Sequence, residues 1–184
     1  MRLSNILMLV AVLVVAITVF FITRPTEELS ETPDPKERIW QFDMDELAHI
    51  IIELPHLEMS ESFVKHEDRQ WYFDDPPGPQ VDSDRWGGGI PAILSGPTVE
   101  RIVAEDADEE RLETFGLNSP MMKMTLTKED EEIVRIEVGD EVAVSGDHYI
   151  KLADSNNVYT INSSWYNVLE RLVLEPPYPP EEDE

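Results

Sequence analysis

The hydrophobic pattern divides the chain into one continuous apolar run, a polar gap and a long stretch of short alternations. Residues 3–22 (LSNILMLVAVLVVAITVFFI) are twenty positions without a charge. As a helix rising about 1.5 Å per residue they cover roughly 30 Å, the hydrocarbon thickness of a bilayer. A secretory signal has a shorter apolar core, about 7–15 residues, closed by small residues at a cleavage site. This run is longer and ends in bulky Val19, Phe20, Phe21 and Ile22, so residues 1–24 are predicted to be a retained transmembrane anchor. Arg2 precedes the span and Arg24 follows it, which nearly balances the positive-inside count. A short segment before the span and a large domain after it predict a cytoplasmic N-terminus and an extracytoplasmic domain.

Residues 25–38 (PTEELSETPDPKER) are polar, hold three prolines and carry no hydrophobic period, the pattern of an extended stalk. Residues 175–184 (EPPYPPEEDE) mix polyproline-forming residues with acids and predict a disordered, solvated tail. Between them, residues 39–174 predict one acidic domain.

Its first half reads as a strand over residues 48–57, with Ile50, Ile52 and Leu54 on one face, then a hairpin from residues 62–66 and 70–74. Residues 74–80 (DDPPGPQ) read as a loop. Asp82 or Ser83 is placed to cap a short helix running to Leu94, interrupted by Gly87, Gly88, Gly89 and Pro91. Residues 98–104 suit a strand and residues 106–114 an acidic helical turn.

The second half alternates with period two. Met122, Met124 and Leu126 oppose Lys123, Thr125 and Thr127; a charged turn, residues 128–132, follows; Val134, Ile136 and Val138 then resume the pattern. Ile150 and Leu152 fit a third strand, and residues 158–161 a fourth after an Asn156-Asn157 turn. Ser163 or Ser164 is placed to cap a closing helix in which Trp165, Val168, Leu169 and Leu172 share a face. One-sided strands with helices segregated in sequence predict an α+β fold with a mainly antiparallel sheet and short helices. Each half reads as strands followed by a helix with a tryptophan near its start (Trp86, Trp165), the order an internal duplication would leave.

Charge narrows the function classes. The chain has 14 Lys+Arg against 39 Asp+Glu, a formal charge of −25. After residue 24 it holds 12 bases and 39 acids, a balance of −27 in 160 residues. A nucleic-acid binder needs clustered bases to neutralise phosphates, and a domain lying on an anionic bilayer needs them too. There is no cysteine, which excludes disulfides, thiol catalysis and thiolate metal sites.

Candidate chemistry is sparse. The four histidines, His49, His56, His66 and His148, form no H-E-x-x-H, and no G-x-S-x-G occurs. Asp147-His148 are neighbours that a strand would point to opposite sides. Gly87-Gly88-Gly89 lacks the lysine and spacing of a phosphate cradle and reads as a packing contact or kink. Asp74, Asp75, Asp82 and Asp84 flank the PPGP loop and are the candidate ligands for a calcium ion, though without the EF-hand order. No cofactor motif is present.

One set of motifs carries a family resemblance. Residues 50–54, Trp71 in QWYF, Val81-Asp82, the hexapeptide FGLNSP (Phe115, Gly116, Leu117, Asn118, Ser119, Pro120), IEVGD ending at Gly139-Asp140, His148-Tyr149-Ile150 and Val158-Tyr159 follow one another in the order and spacing of the bacterial family of domain of unknown function 4340. The chain resembles that family over residues 39–174, departing from it at the triple glycine, where a regular helix is expected. Gly116 permits a positive φ, Leu117 is suited to plug the core, and Pro120 to open the next strand, so the hexapeptide reads as a structural device. The resemblance implies a membrane-anchored extracytoplasmic domain; some relatives are, or are fused to, auxiliary components of ABC-type transport or gliding systems. It carries no catalytic residues. The expected function is therefore a non-enzymatic, single-pass membrane protein that docks an envelope partner with a basic surface, such as an ABC-type transporter component. The alternative expectation is a calcium- or small-solute-binding module on a stalk.

Overall fold

The computed structural model describes residues 38–74, 76–86 and 89–180. The predicted anchor, nearly all of the predicted stalk, Asp75, Gly87 and Gly88 lie outside them. Among the described residues no helix is long and apolar enough to cross a membrane.

The short alternations become one eight-stranded antiparallel sheet, with β1 (Leu47–Leu54), β2 (Met59–Lys65), β3 (Trp71–Phe73), β4 (Arg101–Ala104), β5 (Met122–Lys128), β6 (Ile133–Glu141), β7 (His148–Leu152) and β8 (Val158–Ile161). Their spatial order is β3-β2-β1-β5-β6-β7-β8-β4. The helices are short: α1 (Ser83–Trp86), α2 (Ile90–Leu94), α3 (Glu109–Thr114) and α4 (Ser163–Leu174). The fold class is α+β. The opening strands of the two halves, β1 and β5, pair antiparallel in the middle, and β2-β3 and β6-β7 run outward from them.

Register follows the apolar positions. Ile50 and Ile52 of β1 stand opposite Leu126 and Met124 of β5, and these stand opposite Val134 and Ile136 of β6. Ile50, Ile52, Met124, Leu126 and Ile136 are almost wholly buried. Slipping any of these strands by one residue would turn this set to the other face. The helix α4 packs over β1 and β2, burying Tyr166, Leu169, Leu172 and Val173. On the other side of the sheet a second cluster, Ala104, Ala107, Leu112, Leu117 and Val158, sits beneath α3. The placement of Val158 there and Tyr159 in the main core follows from adjacent strand residues facing opposite sides.

Several predicted boundaries move for local reasons. The first strand ends at Leu54 because Pro55 opens a 3₁₀ turn, which closes on Glu58 at a φ of 54°. The fourth begins at Arg101; Thr98 makes only an isolated bridge to Arg38. The acidic helix starts at Glu109 because Asp108 is its cap, its carboxylate accepting from Arg111 N at 3.0 Å, while Asp106 has a φ of 49°. The interrupted helix is two, and Pro91 falls in the first turn of α2, where no intrahelical N–H is lost. The closing helix is capped by Asn162, which accepts from Ser164 N at 2.9 Å. Its buried face is turned from the predicted one: Tyr166 is inside and Val168 is 41% exposed. Asn156 and Asn157 accept from Ala107 N and Asp106 N, anchoring the approach to α3.

Of residues 175–184, expected as a solvated tail, 181–184 lie outside the described residues, Pro179 and Pro180 are exposed, and Pro177 and Tyr178 meet the domain. Pro177 is buried, its carbonyl accepts from Asp82 N at 2.8 Å, and the Tyr178 ring stacks on Phe73 at 4.2 Å. Glu61 stands opposite Ile52, half-buried, and burial raises its carboxyl above the usual range. Burial first, then the Glu61 charge, also raises the Tyr178 phenol. A glutamate with a raised folded pKa holds its proton longer in the native state than in the unfolded one. Its penalty therefore grows as pH climbs from the ordinary glutamate value through the raised one. Glu61→Gln is expected to flatten that fall, raising stability at neutral pH and leaving it unchanged in acid. Urea unfolding at the two pH values checks this; an equal effect at both would show that charge plays no part.

Candidate functional site

Among the described residues the aspartates of the acidic loop do not converge. Asp82 is the cap of α1, its Oδ1 accepting from Asp84 N at 2.9 Å and Arg85 N at 3.3 Å. Asp84 lies exposed in the first turn of that helix. Asp74 is drawn to β1 instead, its Oδ2 lying 2.9 Å from His49 Nε2, within ion-pair reach though not aligned as a hydrogen bond. Asp75 lies outside the described residues. Among those residues no group of three or more His, Asp or Glu side chains is placed to hold a metal ion. The remaining histidines are engaged singly. His56 Nδ1 is 3.1 Å from Met121 O, His66 stacks on Tyr72, and buried His148 stacks on Tyr166 at 3.9 Å.

The hexapeptide is a latch between α3 and the β6–β7 hairpin. Phe115 ends α3 and packs on Tyr149 at 4.7 Å, and its carbonyl accepts from Asp140 N at 2.9 Å. Gly116 has a φ of 70°, Leu117 is buried, and Asn118 Nδ2 donates to Glu109 O at 3.2 Å. Pro120 is buried but stands two residues before β5, which opens at Met122. Gly139 faces the latch directly: a Cβ there would overlap the Phe115 carbonyl oxygen and lie 3.2 Å from Leu117 Cδ2. The strand shifts register beside this crossing, between Val138 and Glu141. Trp71 is buried against Trp86, with ring centroids 5.7 Å apart.

A concavity of about 400 Å³ lies elsewhere, between α1–α2 and α4. Ile90 and Ile93 line one side and Val168 and Leu172 the other, with Trp86 and Pro177 completing the apolar surface. Trp165 holds the two walls together by donating its indole N–H to Ile93 O at 3.0 Å. The polar atoms belong to Arg85, Arg171 and Glu175. Arg85 donates to the main-chain oxygen of Glu175 at 3.0 Å, and Arg171 meets the Glu175 carboxylate at 3.2 Å. Trp86 is 4% exposed, and its Nε1 is buried with no hydrogen-bond acceptor among the described residues. Sequence reasoning singled out Trp86 only by its place near a helix start and turned Val168 inward, so this groove had no signal in the sequence.

No curated protein and no solved structure matches this chain. The model of the family described as Domain of unknown function (DUF4340) matches residues 71–172, from the start of β3 nearly to the end of α4, which leaves β1 and β2 outside the match. With more than half of its length matched, the chain belongs to the DUF4340 family.

Proposed function

We propose that the protein is a non-enzymatic, single-pass membrane-anchored interaction subunit whose extracytoplasmic domain docks a basic surface of an envelope protein, such as an ABC-type transporter component. The observation that carries this reading is charge: 12 bases against 39 acids after residue 24, behind a twenty-residue apolar run. Such a surplus builds a long-range field that speeds encounter with a basic partner and repels acidic ones. Many of the bases are already engaged by acids: Lys65 meets Glu129 at 2.6 Å, Lys151 meets Glu137 at 2.9 Å, and Lys128 lies within 3.5 Å of Glu46, Asp130 and Glu132. The hydrogen bond to Glu132, first, holds the Lys128 ammonium well above its ordinary range. The surface left for a partner is therefore acidic.

The test is isolation of the tagged full-length chain from gently solubilised native membranes at low and at high salt. The expected result is a stoichiometric envelope-protein companion at low salt that is lost or depleted at high salt, because exposed charges are screened beyond about 10 Å at 0.1 M. Recovery of the chain alone under both conditions would overturn the reading.

A further inference from the structure

We infer that the groove between α1–α2 and α4 binds a small amphipathic anion: a single apolar chain ending in a carboxylate. This is independent of the partner-docking reading and rests on different residues. The first observation is shape. A cavity of about 400 Å³ lies within the range of ligand pockets, about 300–1,000 Å³, but at its small end, which suits one chain and not a two-chain lipid. Val168 opens into it 41% exposed, on a helix whose neighbouring apolar residues Leu169 and Leu172 are covered.

The second observation is sign. In a domain so poor in bases, the groove gathers two arginines against one carboxylate. The Arg171–Glu175 pair is mostly exposed on both sides, and such pairs contribute no more than about 1 kcal/mol, so an incoming carboxylate exchanges for Glu175 at little cost. Arg85 meets only a main-chain carbonyl there, and among the described residues its charge has no carboxylate partner. A guanidinium presents a planar fork of donors matched to a carboxylate.

The third observation is Trp86, which lines the groove next to Arg85 and whose indole N–H is buried without an acceptor among the described residues. Buried donors are almost always satisfied, and an orphan costs about 1–3 kcal/mol. A shift of the wall that lets a ligand oxygen reach this N–H would supply the missing acceptor. A monoanion is favoured over a phosphate because each added negative charge must be brought into the field of the acidic domain.

The experiment uses the ¹⁵N-labelled full-length chain in lipid nanodiscs, titrated with octanoate and, separately, with the neutral octanamide. The four tryptophans give separate indole signals, and loss of one in Trp86→Phe assigns it. Octanoate is expected to move the Trp86 signal saturably, with octanamide weaker by at least about tenfold, the size of one charge-assisted hydrogen bond. Arg85→Gln combined with Arg171→Gln should weaken octanoate by a similar factor or more. Unchanged Trp40 and Trp71 signals would show that this variant keeps its fold. Raised salt should leave octanoate binding intact or strengthen it, opposite to its effect on a basic partner, so the two readings fail separately. A Trp86 signal that octanoate does not move would overturn the proposal. So would equal affinity for octanamide, which means apolar partition alone.

Discussion

Replacing Gly139 with alanine is expected to lower the stability of the domain by about 3 kcal/mol, the upper end of what overpacking costs. The cause is a close crossing of backbones. The end of α3 passes directly over β6, where Asp140 N donates to Phe115 O at 2.9 Å. A methyl group on Gly139 would occupy the space of that same carbonyl, with the Gly116 carbonyl carbon and Leu117 Cδ2 both at 3.2 Å. The obstacle is main chain, so no rotamer change relieves it. Gly116→Ala should cost less: its φ of 70° imposes about 1–2 kcal/mol on any residue with a Cβ, but the atoms in its way belong to the Asp140 carboxylate, which can turn aside. Gly146→Ala supplies the reference. It shares a φ of 76° yet meets only Glu141 Oε1 at 3.7 Å, and should cost about 1 kcal/mol. Urea midpoints of the three variants give the ranking; a Gly139→Ala loss no larger than that of Gly146→Ala would mean that the latch is not held by this contact.

The same latch shows what was legible in the sequence. FGLNSP marked a helix stop followed by a buried leucine, and both are present because they depend on neighbouring residues alone. Gly139, nineteen residues after the hexapeptide, was marked only by the family motif IEVGD. That it must lack a side chain depends on the crossing, of which its neighbours in sequence give no sign. The strands were legible wherever one face is buried, as in Met122, Met124 and Leu126. The place of β4 was not: its four residues pair with β8 at the far edge of the sheet, a connection no periodicity encodes. The acidic loop shows the converse. Four aspartates within eleven positions read equally as ligands or as caps, and Asp82 is spent on the first turn of α1. The groove was hidden because its walls come from segments some eighty residues apart. The apolar stripe of α4 also ran one residue off the predicted one, which leaves Val168 outside.

Phe63→Ala is expected to cost about 3–5 kcal/mol, the range for emptying a buried aromatic site. Phe63 is fully buried on β2, with its ring 5.3 Å from Phe73 and 4.8 Å from Trp86. Each of those rings supports a further feature: Phe73 carries Tyr178 of the C-terminal segment, and Trp86 lines the groove. Losing Phe63 therefore removes its own burial and the support of both neighbours, and partial collapse of one ring into the space disturbs the other. Phe63→Leu keeps most of the volume and should cost less than about 1.5 kcal/mol. It still removes the aromatic edge against which the Trp86 indole rests, so the Trp86 N–H signal should move while that of Trp165, which is bonded to Ile93 O, stays in place. A Phe63→Leu variant that shifts both signals alike would mean that the two walls of the groove respond as one body. In that case Trp86 would report the state of the whole core and not that of its own site.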